Sequence, residues 1–274
     1  MTILFTGHKG FLGRELIPSI SSEENVITFD GDYTNQRTTR EFIGDFRVTK
    51  IIHAAARGGR RTKSDTPEVL LNNLVSTLNV LDATLPTLMF CSGAIYNRDK
   101  SINQAKEELS NASYPSDFYG QSKYFNNLLA KKQNATRTLR FFNVFGKSEG
   151  LDRFISFNIH RYIQKEPMII FKDFQMDFFY VLDVIPVMKL WLAGGILPKE
   201  INMVYEEKVY LSEICELINQ LGEHKVPIEH KEHKSNLNYT GNSDALYSIK
   251  TPLMGLRKGL VDMYRHLKEL EVTN

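Results

Sequence analysis

Tyr119 and Lys123, four residues apart in "YGQSK", are the first residues in the chain whose types and spacing suggest chemistry. On a helix this spacing puts both side chains on one face. A tyrosine with an ordinary pKa of about 10 is a poor base at neutral pH. A neighbouring ammonium favours the phenolate and draws that pKa down, so the pair could exchange a proton with a hydroxyl or a carbonyl. An ordinary helix surface also carries such pairs. Ser92, in "FCSGAIYN", closes a short apolar run upstream. There a hydroxyl can donate to an oxygen on which charge develops, although a Ser-Gly turn ending a strand needs no function.

At the start of the chain, "FTGHKGFLG" sets Gly7, Gly10 and Gly13 between an apolar run and renewed apolar spacing. In a dinucleotide-binding turn, Gly7 would allow the tight bend and Gly10 would let backbone approach a pyrophosphate. Gly13 would let the helix close onto the strand. The helix N-terminus then offers free N–H groups to phosphate. The spacing is G-x-x-G-x-x-G, not the commoner G-x-G-x-x-G, and a glycine turn without a ligand is the competing reading. Asp30, in "VITFDGD", lies 17 residues past Gly13, where a carboxylate takes ribose hydroxyls. That placement favours NAD, because a carboxylate repels a 2′-phosphate. Asp32 competes for the role, and the nearby Arg37 and Arg40 keep NADP open.

These residues need elements to hold them. "ILFT", "VITF" (26–29), "KIIHAA" (50–55), "LMFCS" (88–92) and "TRTLRFF" read as short buried strands. Helical patterns separate them: "FLGRELIPSI", expected to be shortened by Pro18, "TREFIGDF", a long segment from Pro67 to Ala83, and "DFYGQSKYFNNLLAKK". Continuous apolar strands alternating with helices indicate an α/β fold with a parallel sheet covered on both faces. After "FNVFG" the elements become shorter and more mixed. The expectation is a dinucleotide-binding domain over 1–145 and a smaller, mixed α/β C-terminal substrate lobe over 146–274, with some segments returning to the sheet.

Composition narrows the class. The 274 residues suffice for one domain plus a small lobe. A net charge of +2 gives no field that calls for nucleic acid or an anionic membrane. The two cysteines, Cys91 and Cys215, form no disulfide framework, so a reducing, cytoplasmic setting is expected. No signal-peptide pattern opens the chain and no apolar run is long enough to span a membrane. His224, His230 and His233 cluster in "HKVPIEHKEH", but the charge and turn character there read as a solvated loop, and no metal is expected.

Taken together, "TGHKGFLG", "IIHAAARGG", "NNLVSTLNVL", "FCSGAIY", "YGQSKY", "LRFFNVFG" and "DFFYVLDV" resemble, in order, the extended short-chain dehydrogenase/reductases. The branch is the NAD-dependent epimerase/dehydratase family, which acts on nucleotide sugars. The resemblance implies a Rossmann-type, doubly wound sheet. It implies a catalytic triad of Ser92, Tyr119 and Lys123, with Tyr119 and Lys123 also touching the cofactor. It places Phe11 and Leu12 where amides meet the pyrophosphate, and Ala54, Ala55 and Ala56 beside the adenosine half. Asn73, with Asn72 as the alternative, would support the site from the long helix. Asn143 would line the nicotinamide and sugar pocket.

The departures from the family's patterns bear on the reaction. The family's sugar dehydratases carry Asp-Glu after the catalytic hydroxyl residue; here Gly93 and Ala94 follow Ser92. Its bifunctional 3,5-epimerase/reductases place a cysteine two residues after the serine and a histidine beyond "NVFG"; here stand Ala94 and "KSEGLDRF", with no histidine before His160. What remains is hydride transfer at one sugar carbon, most often C4, by an epimerase or a 4-keto reductase. A non-catalytic dinucleotide sensor or scaffold is the alternative. Many relatives have an arginine where Met176 stands, and Arg153, or else Lys172, could take over its contact with the substrate's diphosphate. The resemblance also implies a homodimer built on the helices near 67–84 and 118–132.

Overall fold

The computed structural model describes residues 1–59, 64–108, 113–232 and 237–272. The first half alternates as the apolar runs require: β1 (Thr2–Thr6), α1 (Phe11–Ser21), β2 (Asn25–Ile27), α2 (Gln36–Asp45), β3 (Lys50–His53), α3 (Pro67–Leu81) and β4 (Thr87–Ser92). There follow β5 (Ile102–Ala105), α4 (Phe118–Lys132), β6 (Thr136–Phe141), β7 (Val144–Phe145), α5 (Phe154–Ile163), β8 (Met168–Ile170), β9 (Phe179–Tyr180) and α6 (Val184–Leu192). The chain ends with β10 (Glu200–Met203), α7 (Leu211–Ile218), β11 (Ile228–His230), β12 (Tyr239–Gly241), α8 (Asp244–Ser248) and α9 (Leu256–Val272).

Six strands form one parallel sheet in the order β10-β6-β4-β3-β1-β2. Alternation along β1 shows why it is covered twice. Ile3 and Phe5 join the cluster that holds Leu16 and Ile20 of α1, while Leu4 joins Ile43 of α2, Ile51 and Val80 of α3. The chain places β2 on one side of β1 and β3 on the other, so the winding reverses between β1 and β3. Open α/β sheets bind ligands in the crevice outside the carboxyl ends of such strands. β10 lies at the far edge, paired with β6 from Glu200↔Thr138 to Met203↔Phe141. Outside the main sheet, β8 pairs with β11, β5 with β12 and β7 with β9.

Two local expectations change. α1 runs through Pro18 to Ser21 and is not shortened there. Proline removes one hydrogen bond and crowds the preceding turn, but Leu16 and Ile20 on either side are buried in the core. β3 stops at His53, and the alanines that follow leave the sheet. No helix among the described residues is long and apolar enough to cross a membrane.

Candidate active site

The glycine turn is built by close approach. Gly7 has φ +76°, and a Cβ on it would lie 2.8 Å from the Ala55 nitrogen. Gly10 donates its N–H to the Gly7 carbonyl at 3.0 Å and caps α1. A Cβ on Gly13 would meet His8 Cα at 2.5 Å and the Gly7 oxygen at 2.6 Å, so only glycine lets α1 sit this near the turn. Arg14 is the first residue of the helix to bond back, to Gly10 at 3.1 Å. The amides of Phe11, Leu12 and Gly13 in the first turn therefore have no carbonyl one turn earlier to bond.

A groove of about 460 Å³ opens from this turn, lined by Gly7, Gly10, Asp30, Asp32, Ala54–Ala56, Arg57, Asn72 and Asn73, among others. Its wall after β3 is pinned by a chain of hydroxyls and one imidazole. Thr6 Oγ1 accepts from the amides of Ala54 (3.1 Å) and Ala55 (3.0 Å) and lies 2.9 Å from His53 Nδ1. His53 Nε2 lies 3.0 Å from Thr77 Oγ1 on α3. Burial pushes the His53 pKa down to about 3, so the ring is neutral. With both Thr6 lone pairs engaged, its O–H donates to Nδ1 and Nε2–H donates to Thr77. Asn73 extends the brace: it accepts from Arg57 N (2.8 Å) and donates to Arg57 O and Ser122 Oγ (both 3.0 Å).

Asp30 lies in the groove but does not stand alone. Lys9 Nζ is 2.6 Å and His8 Nε2 is 3.0 Å from its carboxylate, and the Lys9 hydrogen bond holds its pKa below the usual range. Asp32 accepts from Thr34 N at 2.9 Å. Arg37 pairs with Glu41 and Arg40 with Asp82, and neither arginine lines the groove, whereas Arg57 does.

The segment that follows Arg57 of the groove wall leads to Tyr119. Gly59 (φ +82°) lies against its ring, where a Cβ would come within 2.7 Å, and Asp65 holds the Gly59 N–H. Ser92 lies near enough to Tyr119 to draw its pKa down. They meet because α4 begins against the short 3-10 turn Gly93–Ile95 that follows β4: a Cβ on Gly120 would lie 2.6 Å from the Ala94 oxygen. Burial pushes the Tyr119 pKa up to about 12, against the opposing pull of Ser92 and the charges of Arg98 and Arg153. Lys123 is buried, donates to the Phe90 carbonyl at 3.2 Å, and keeps its Nζ 5.7 Å from the Tyr119 ring centre.

On the far side of the cleft, Asn143 donates to the Asp177 carbonyl at 3.0 Å, and Arg153 caps α5 beside Glu149. Burial raises Glu149 to about 7 and Asp177 to about 6; Asp177 forms a buried pair with Lys208 at 2.9 Å. Met176 is buried and Lys172 pairs with Glu232 at the surface. Arg98, Asp117, Glu149 and Tyr239 surround the site without having been singled out in the sequence. Of these, only Asp117 has a local signal, as an N-cap before a helical run. Among the described residues no group of His, Cys, Asp or Glu is arranged for a metal. His224 stacks on Tyr162, His230 is exposed, and His233 lies outside the described residues.

Comparison with known proteins agrees with this architecture. Three solved structures share the fold over nearly the whole chain. UDP-glucose 4-epimerase from Thermotoga maritima, with UDP-glucose, is 17% identical, with 99% of this chain and 100% of that one covered and a TM-score of 0.82. UDP-glucuronic acid 4-epimerase from Bacillus cereus, with UDP-glucuronic acid and NAD, is 20% identical, with 98% and 100% covered and a TM-score of 0.79. GDP-mannoheptose C4 reductase from Campylobacter jejuni, with NADP, is 15% identical, with 97% and 98% covered and a TM-score of 0.80. Residues 3–203 match the family model described as the NAD dependent epimerase/dehydratase family. On the extent of that match, joined to the glycine turn and the parallel sheet, the chain belongs to the NAD dependent epimerase/dehydratase family.

Proposed function

We propose that the protein is an NAD(P)-dependent epimerase or 4-keto reductase of a nucleotide-activated hexose, with Tyr119 as the proton carrier. The observation that carries this reading is the glycine-turned groove lined by Gly7, Gly10, Asp30 and Ala54–Ala56, with Ser92 at the carboxyl end of β4 and the Tyr119 ring against Gly59, two residues past Arg57 of the groove wall.

The groove suits a dinucleotide: a side chain at Gly7 or Gly13 would fill the cradle, and the first-turn amides point out of α1 without helical partners. In this reading Gly10, Phe11, Leu12 and Gly13 hold the pyrophosphate, Asp30 or Asp32 the ribose hydroxyls, and Ala54–Ala56 the adenosine half. Asn73 fixes the wall, and Lys123 and Tyr119 hold the second ribose. A bound nicotinamide supplies the donor or acceptor for hydride at one sugar carbon, C4 in this proposal. Tyr119 passes a proton to or from the sugar oxygen, and Ser92 bonds that oxygen as charge develops. Asn143 and Arg153 face the substrate, the arginine standing in for the cation that Met176 cannot supply.

Water loss is disfavoured. A Cβ on Gly93 would already lie 2.8 Å from the Tyr239 hydroxyl and from the Phe142 ring, so no acidic side chain fits there. Proton abstraction from carbon is disfavoured too, because Ala94 carries no proton and His160 pairs with Glu271 on α9 at 3.6 Å. A second reading is a dinucleotide binder without turnover, favoured by the Lys123 ammonium resting on the Phe90 carbonyl at 3.2 Å. The dinucleotide that survives purification separates the cases. Retained NAD with conversion of a UDP-, dTDP-, GDP- or CDP-hexose supports the epimerase, because an epimerase regenerates its own cofactor. NADPH oxidation by a 4-keto-6-deoxy sugar nucleotide supports the reductase. Firmly held dinucleotide with no turnover on the panel would favour the binder.

A further inference from the structure

The first two glycines of the opening turn enclose two residues, where the commoner spacing encloses one. Gly10 N donates to the Gly7 carbonyl at 3.0 Å, so His8 and Lys9 are the central residues of a β-turn at the carboxyl end of β1. β1 and β2 run parallel with Leu4 opposite Ile27, so both strands end on the same edge of the sheet, and Asp30 follows the end of β2. Lys9 Nζ lies 2.6 Å and His8 Nε2 3.0 Å from Asp30, both on Oδ1. The second carboxylate oxygen can still accept from another donor. At the same end of the groove Asp32 Oδ1 accepts from Thr34 N at 2.9 Å, and Arg57 lines the wall. Arg37 and Arg40 are paired with Glu41 and Asp82 and do not line it.

We propose that Lys9 is a specificity-determining residue for the dinucleotide: its ammonium offsets the charge of Asp30, so that the groove admits a ribose carrying a 2′-phosphate and binds NADP at least as tightly as NAD. The proposal rests on the reading of the groove as the dinucleotide site and says which dinucleotide that site takes. A bare carboxylate after the second strand takes ribose hydroxyls and repels a 2′-phosphate. Repulsion between charges a few ångströms apart persists in water and grows as a ligand displaces that water. With an ammonium on Oδ1, Asp30 meets the phosphate as a pair without net charge, while Oδ2 still serves a ribose hydroxyl. The Lys9 and Asp30 side chains are 75% and 70% exposed, so the pair adds little to the stability of the fold. Its effect falls on what enters the groove.

NADP and NAD differ only by the 2′-phosphate, so the ratio of their dissociation constants cancels any change in the contacts they share. Titration calorimetry of protein freed of bound dinucleotide reads that ratio without any sugar substrate. The proteins compared are wild type, Lys9→Gln, Lys9→Arg, Asp30→Asn and the double variant Lys9→Gln with Asp30→Asn. Wild type should bind NADP as tightly as NAD or more tightly. Lys9→Gln should weaken NADP relative to NAD about tenfold, with Lys9→Arg close to wild type. Once Asp30 is neutral there is no charge to offset, so Lys9→Gln should move the ratio by about twofold at most in the Asp30→Asn background. An equal shift in both backgrounds would make Lys9 a direct phosphate ligand and overturn the proposal. No shift in either would make it a solvated surface lysine and overturn it too, as would a wild type that clearly prefers NAD. Failure of the underlying reading looks different: if neither dinucleotide binds, the groove reading falls and this proposal with it, whereas NAD binding with a ratio that Lys9→Gln leaves unmoved sinks the proposal alone.

Discussion

At the scale of single residues, the site depends on buried ionisable groups. Lys123→Met replaces a buried ammonium with an apolar chain of similar length. The fold should persist, while dinucleotide affinity and turnover both fall, which titration of protein fluorescence and a rate assay would separate. Glu149 gives a pH signature. Its carboxyl ionises near 7 in the folded chain against 4.5 as its ordinary value, raised by burial despite the Arg153 charge. A raised folded pKa contributes stability that is present below 4.5 and lost as pH rises to about 7. Glu149→Gln lacks that loss, so above that range it should be more stable than wild type by about 1–3 kcal/mol, the gap closing on acidification. Denaturant unfolding at both ends of the range checks this. That Tyr119, Lys123 and Ser92 lie near one another was legible, because a strand end and one helix face bring them together in that order. Arg98 was not: its partner Asp117 lies far along the chain, and such a pairing leaves no periodic trace. Nor could spacing show that Lys9 and His8 cover Asp30, or that Lys123 rests on Phe90.

At the scale of elements, the strand–glycine turn–helix unit has little tolerance. Gly13→Ala must push α1 off backbone atoms 2.5–2.6 Å away, which no rotamer change relieves. It should cost about 1–3 kcal/mol of stability and abolish dinucleotide binding. Gly44→Ala is the control: nothing lies within 4 Å of its Cβ in α2, so it should stabilise by about 0.5–1 kcal/mol and leave binding unchanged. Thermal unfolding and dinucleotide titration of the two variants test the contrast. The elements that read most clearly in the sequence were those whose apolar pattern is uninterrupted: β1, β4, α3 and α4. Pro18 misleads because propensity describes an isolated helix, whereas the buried Leu16 and Ile20 hold α1 together through it.

At the scale of the whole molecule, an apolar surface among the described residues is uncovered. Leu71, Val75 and Leu78 run along α3, and Phe125 and Leu128 along the adjacent α4, all exposed. We propose that this face pairs with a second copy as a four-helix bundle. Wild type should sediment as a dimer at micromolar concentration, and Leu71→Glu with Leu78→Glu as a monomer; a monomeric wild type would refute this. The doubly wound sheet follows from alternating strand and helix patterns, but the pairing of β10 with β6 joins residues about 60 positions apart, which local patterning does not encode. The central claim is that sheet, groove and Ser92–Tyr119 pair together transfer hydride with Tyr119 as proton carrier. The most direct test follows product formation by chromatography, with nicotinamide absorbance beside it, as the nucleotide-hexose panel and its 4-keto-6-deoxy forms are mixed with dinucleotide-loaded wild type and Tyr119→Phe. The expected result is turnover by wild type on at least one substrate and a fall of about 100-fold or more in the variant, with dinucleotide affinity kept. A folded, dinucleotide-binding Tyr119→Phe protein that turns over at the wild-type rate would contradict it.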